Sequence, residues 1–212
     1  MNTDSTPQSP QQAGESGRAN TNDQGSTRVE ESPRKAGGFF KIPPGMEDGG
    51  EHPVAQRVRE RFPSAFIGAT LFRGDLSIHL KKDALFEAAR LLRDDPALDF
   101  DYPVHVTSVD YMGEPERFEV VYDLFSIRKK HQVRLKTRIS EEDCTLDSLT
   151  PLWEGFNFME REVYDMMGIK FNNHPDLRRI LLPDEYDEGY PLRKNFPIEG
   201  RGWRDTFEFL ES

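Results

Sequence analysis

Apolar positions along the chain change period four times. Over Val54, Val58 and Phe62 they recur at four-residue steps, behind a proline at Pro53 that suits a first helical turn. From Ala65 to Leu80 the pattern is a hairpin: Phe66–Phe72 and Leu76–Leu80 flank the turn Arg73-Gly74-Asp75. Leu85, Ala88, Ala89 and Leu92 restore the helical stripe between about Asp83 and Arg93, with Pro96 just past its end. Period two then returns in three runs. Val104, Val106 and Ser108 alternate in the first. Phe118, Val120, Tyr122 and Leu124 alternate in the second, while Val121, Phe125 and Ile127 make its other face apolar too, as in a central strand. Val133, Leu135, Thr137 and Ile139 alternate in the third. Gly113-Glu114-Pro115-Glu116 and Arg128-Lys129-Lys130 supply the turns between them. The predicted fold class is α+β: an antiparallel or mixed sheet with helices packed on one face, followed by a long extended C-terminal tail.

A last, short helix lies within Trp153–Gly168, where Phe156, Met159, Val163, Met166 and Met167 form the apolar stripe. Asn157 suits its N-cap, with Glu160 three residues on as the return partner of a capping box. Arg161 and Asp165, one turn apart, are expected to pair on the outer face, and Gly168 fits the left-handed stop position. Beyond it, Pro175, Pro183, Pro191 and Pro197 interrupt every period. Yet Phe171, Ile180, Leu181, Leu182, Tyr190, Phe196 and Trp203 alternate there with Arg178, Arg179, Arg193, Lys194, Arg201 and Arg204. Such a segment is too apolar for a disordered tail and too irregular for a compact domain. It is expected to take its order from other proteins, with aromatics as anchors and arginines as carboxylate clamps. On that expectation, deleting Lys170–Ser212 leaves the strand domain folded but unassembled, and Arg178→Ala harms assembly more than melting.

Four segments follow: residues 1–38, low-complexity and expected to be disordered; 39–52, a linker with a sticky Phe39-Phe40 pair and glycine spacers; 53–168, the α+β domain; and 169–212, the partner-wrapping tail.

Composition narrows the chemistry. A net charge of −10 with 31% charged residues in 212 argues against nonspecific nucleic-acid binding, and a single-strand RNA sheet would need a basic aromatic face. One cysteine, Cys144, excludes a disulfide framework and an iron–sulfur cluster held by this chain alone. Its acidic neighbours Glu141-Glu142-Asp143 are expected to raise the thiol pKa. No apolar run reaches the roughly 20 residues that cross a bilayer, and no secretory signal is visible. Dinucleotide-binding and P-loop glycine motifs are missing. His174 with Asp176 is the best metal candidate. Asp184-Glu185-Tyr186-Asp187-Glu188 misses a calcium-loop pattern and reads as a solvated acidic loop. Glu160, Glu162 and His174 are the carboxylates and imidazole that a stand-alone acid–base enzyme would use. Helix capping for Glu160 and a favourable first-turn charge for Glu162 are the plainer explanations.

The densest signal is Glu160-Arg161-Glu162, Asp165, Met166-Met167, Gly168, His174-Pro175-Asp176-Leu177-Arg178-Arg179-Ile180-Leu181 and Pro191-Leu192-Arg193-Lys194. These residues resemble the signature of the thirty-kilodalton subunit family of NADH:quinone oxidoreductase, respiratory complex I, whose bacterial members are designated C. The strand sequences Val106–Tyr111 and Arg117–Leu124 are similar to the family more loosely, so that the likeness spans about Val54 to Phe196. Phe158 and Met159 depart from it, standing where Trp and Tyr are common, as does Asn195, standing where Asp is common.

The resemblance implies a cofactor-free peripheral-arm subunit with no active site of its own. Flavin and iron–sulfur clusters then reside in partner subunits, and subunits B and D are its neighbours. Its place is the cytoplasmic side of a bacterial membrane, with membrane contact only through the complex. The equivalent subunit of a membrane-bound hydrogenase, or of another quinone-reducing dehydrogenase, is the alternative.

Overall fold

The structure is a computed structural model, and it describes residues 40–198. The expectations for residues 1–39, and for Arg201, Trp203 and Arg204 in the tail, lie outside the described residues.

Among the described residues, eight strands and three helices appear in chain order: β1 (Glu47–Asp48), α1 (Pro53–Arg61), β2 (Phe66–Phe72), β3 (Asp75–Leu80), α2 (Leu85–Asp94), β4 (Tyr102–Asp110), β5 (Phe118–Ser126), β6 (His131–Ile139), β7 (Thr145–Asp147), α3 (Asn157–Met167) and β8 (Lys170–Asn172). Each helix has a local cause. Pro53 opens α1, and the His52 ring accepts the amide of Val54 as cap. Leu85, Ala88, Ala89 and Leu92 form the buried stripe of α2. The β2–β3 turn has positive φ at Arg73 and Gly74, the two-residue form that matches strand twist.

The main sheet has the order β1-β2-β3-β6-β5-β4. It is mixed: β3 and β6 run parallel, Ile78 opposite Leu135, while the other pairs are antiparallel. That parallel pairing is invisible in local periodicity. It arises because β4, β5 and β6 form a meander that returns to the free edge of β3, after a crossover through α2. β5 is internal, as its two apolar faces predict. A continuous core joins Val58, Ile78, Leu92, Tyr122, Leu135 and Phe156.

Residues 40–52 depart from the linker reading. The Phe40 ring packs on His79 and over Gly68, β1 pairs with β2, and the Gly49 amide donates to Ala69 O. A Cβ on Gly49 would lie 3.0 Å from the Thr70 backbone, so this glycine is a packing requirement rather than a spacer.

The tail is irregular and extended, as expected, but residues 169–198 are held largely by this chain's own domain. β8 pairs in parallel with β7, and Phe171 joins the core. Among the described residues, no helix is long and apolar enough to cross a membrane.

Candidate functional site

The signature residues converge on α3 and the chain that returns over it. The helix is entered through a 3-10 turn at Glu154–Phe156, and its cap is Phe156, with no side-chain cap bond. The expected capping box does not form. Asn157 falls inside the helix, and Glu160 turns inward, where it is completely buried. Its carboxylate accepts from Tyr122 Oη (2.8 Å), the Leu149 amide (2.8 Å), Ser148 Oγ (2.5 Å) and Thr150 Oγ1 (3.1 Å). Burial raises its pKa, against the pull of those four donors. The same cluster, chiefly through burial, pushes the Tyr122 phenol up.

Arg161 and Asp165 do not pair on an outer face; both are buried and both grip the tail. Arg161 donates to the carbonyls of Arg178 (3.0 Å) and Arg179 (2.9 Å). Asp165 accepts from the amides of Ile180 (3.1 Å), Leu181 (2.9 Å) and Leu182 (2.8 Å), and from the Arg179 guanidinium (2.9 Å). Burial opposes the charge on Asp165, but the three amides and Arg179 outweigh it and hold the carboxyl below its ordinary value. A capping reading failed here because these polar groups serve chain segments far away in sequence.

His174 lies beside Glu160, 3.9 Å from Oε2. Its Nδ1 accepts the Asp176 amide (3.0 Å), which assigns the proton to Nε2, and Nε2 donates to Asn157 O (3.1 Å). Both ring nitrogens are thus engaged by backbone, which removes the His174–Asp176 metal candidate. Among the described residues, no group of three or more His, Cys, Asp or Glu could hold a metal ion. Pro175 is exposed, and among the described residues the Arg178 side chain reaches only Asp176.

Further on, Gly168 has φ +75°, and its missing Cβ leaves room for the Tyr190 ring. After Pro191, the Leu192 amide donates to Met166 O (3.1 Å), and Arg193 donates to Met167 O (2.7 Å) and Glu141 (3.2 Å) while lying over the Phe118 and Tyr190 rings. The Lys194 amide reaches Asp110 (2.8 Å). Asp110 is doubly bound by Arg117, at 2.8 and 2.7 Å, and Arg117 also holds Glu141 and Asn195. The Arg117 hydrogen bonds hold the Asp110 carboxyl below its usual value. Asn195, a departure from the family pattern, thus keeps an acceptor where the pattern has a carboxylate.

Tyr122, Ser148, Thr150, Asp110, Arg117 and Glu141 were missed by sequence reasoning. Each lies on a strand or loop distant from the motif, and only an unexplained polar residue within an apolar run, such as Asp110, hints at them. Cys144 is half-buried, and burial is the first cause of its raised pKa; Arg193 opposes, and the acidic neighbours add less. In the acidic loop Asp184, Glu185 and Asp187 are exposed, while Tyr186 turns inward under the Arg179 guanidinium. Of the would-be acid–base set, Glu160 and His174 are neighbours, but Glu162 lies exposed on another side of α3. The site is a clasp, closed by buried carboxylates.

A family model described as "Respiratory-chain NADH dehydrogenase, 30 Kd subunit" matches residues 78–202. The chain belongs to this family. Its relatives include the NADH-quinone oxidoreductase subunit designated C from Roseiflexus castenholzii, 46% identical over 154 residues, or 73% of this chain and 88% of that one. The subunit of the same designation from Citrifermentans bemidjiense is 44% identical, covering 68% and 88%. Among solved structures, a trypsin-resistant fragment (1-134) of Nqo5 is 32% identical, with a TM-score of 0.50, covering 58% of this chain and 99% of the fragment. A membrane-bound sulfane sulfur reductase, an archaeal respiratory membrane complex, shares the fold at 22% identity and a TM-score of 0.59, covering 68% and 84%. In this member of the 30 Kd family, Arg161, Asp165, Arg179 and Arg193 of the signature are used inside the subunit, binding the tail to α3.

Proposed function

We propose that this chain is a cofactor-free peripheral-arm subunit of a proton-translocating NADH:quinone oxidoreductase. The complex passes electrons from NADH through flavin and iron–sulfur clusters, carried by partner subunits, to a quinone. This chain has a structural and assembly role beside the quinone-site subunits, with subunits B and D as its neighbours. It reaches the cytoplasmic face of a bacterial membrane only through them.

One observation carries the reading: the motif that marks the family is built into a clasp and not into an open cleft. Glu160, Arg161, Asp165, His174, Arg179 and Arg193 all bind other parts of this chain. What they present outward is a shaped tail surface, with Leu181 and Leu192 each 59% exposed. Such apolar side chains on an ordered strap suit burial against another subunit.

The test is affinity purification of the tagged full chain from native membranes. Subunits B and D and NADH:quinone activity are expected in the same fraction, with no turnover by the isolated chain. Turnover or stoichiometric metal in the isolated chain, or recovery without those subunits, would overturn the proposal.

A further inference from the structure

Among the described residues, β4 is the last strand of the sheet and pairs only with β5. Its hydrogen-bond phase can be read from one contact. The Tyr111 amide donates to Arg117 O at 2.7 Å, so this pair is ladder-bonded. Alternation along the register then places Val109, Thr107 and His105 in the ladder and turns the N–H and C=O groups of Val106 and Ser108 outward. Exposed edges of this length are normally blunted by charge, proline or a bulge. Pro103 and the register shift before His105 blunt the first part of β4. From Val106 to Val109 there is no ionisable side chain and no proline.

Beside this edge runs a groove of about 290 Å³, floored by Val163 and Met167. That lies at the bottom of the range for small-molecule pockets, roughly 300–1,000 Å³. α3 flanks it in the same direction as β4, since Gly155 abuts Pro103 at one end and Lys194 reaches Asp110 at the other. Glu162 lines its outer side, with Phe158 four residues before it on the same helix face. They are the exposed residues of α3, with Phe158 at 64%. Glu162 makes no hydrogen bond or ion pair with a described residue.

We propose that the β4 edge is a docking strand for an extended segment of another subunit. That segment pairs with the outward groups of Val106 and Ser108, lowers aliphatic side chains into the groove, and sets a Lys or Arg against Glu162. The inference rests on the reading of this chain as part of a larger complex. Charge selects the occupant. A second copy would bring two chains of net charge −10 together and offer Glu162 no permanent cation from its own β4, whose one basic side chain is His105.

The test compares amide hydrogen exchange of the full chain alone and within the purified complex. The amides of Val106 and Ser108 are expected to exchange at least 100-fold more slowly in the complex. Ser108→Pro removes one outward N–H while sparing the ladder to β5, a position where an edge strand accepts proline. It is expected to cut incorporation into the complex at least tenfold, with Ser108→Ala incorporated normally. Should Ser108→Pro fail to fold alone, Glu162→Lys decides, with at least a fivefold loss of incorporation at unchanged melting temperature. Equal exchange in both states, or normal incorporation of the decisive variant, overturns the docking strand while leaving the subunit reading intact. Protection already present in the isolated chain also overturns it, because this chain's own residues or a second copy would then fill the edge. If the native chain brings down no other subunit, both readings fall together.

Discussion

Two carboxylates one turn and a half apart on α3 have opposite electrostatics. Glu160 is raised by burial, so its ionisation weakens the fold as pH climbs from the ordinary carboxylate value, about 4.3, to its higher folded value. Asp165 is lowered in spite of burial, through the amides of Leu182, Leu181 and Ile180 and through Arg179. Its contribution is present above the unfolded value, about 3.9, and is lost as pH falls through the depressed folded value. Acid should therefore open the tail first. Limited proteolysis should show cleavage within residues 176–192 rising below about pH 4, and Asp165→Asn should flatten that rise. Glu160→Ala strands the Leu149 amide and the Tyr122 hydroxyl in a buried site. It should cost about 2–4 kcal/mol in denaturant unfolding, with the slope on denaturant unchanged. Arg178→Ala should change the stability of the isolated chain by no more than about 0.5 kcal/mol, since the side chain is exposed and among the described residues reaches only Asp176.

At the scale of elements, the junction of α3 with the tail depends on Gly168. A side chain there meets both a positive φ and the Tyr190 ring. Gly168→Ala should lower stability by about 1–3 kcal/mol and release the segment around Tyr190, seen as faster amide exchange at Leu192 and Arg193. Arg193 ties that segment to Met167 O, Glu141 and two rings, so Arg193→Lys, which cannot span this set, should produce the same local opening with a smaller loss. Sequence pattern located the helices and hairpin strands well because their periods are local. It missed β7 and β8, which are three residues each and exist through pairing with one another.

For the molecule as a whole, the tail belongs to the fold as much as to any partner. Truncation after Ile169 removes Phe171 from the core and leaves Arg161 and Asp165 without the tail's backbone and Arg179. The expectation of an undisturbed strand domain changes accordingly. The truncated chain should keep its sheet by circular dichroism but melt about 6–12 °C lower, the shift for a loss of about 3 kcal/mol at this size. An unchanged melting temperature would mean that the clasp contributes nothing to the isolated subunit. Leu181 and Leu192 stay exposed on a segment that is already internally held.

By itself the sequence determined the family, the α+β class, the central place of β5, and the positions of the glycine and proline breaks. Those features follow from side-chain periodicity, backbone permissiveness and a motif whose residues stand at fixed steps. Only the tertiary structure decided what the motif's charges do. A carboxylate on a helix has the same local signature whether it caps its own turn, faces water, or binds amides contributed by residues fifteen or more positions away. Its partners are set by which distant segments the sheet brings over α3, and the parallel meeting of β3 with β6 and the return of the tail past Asp110 carry no local period.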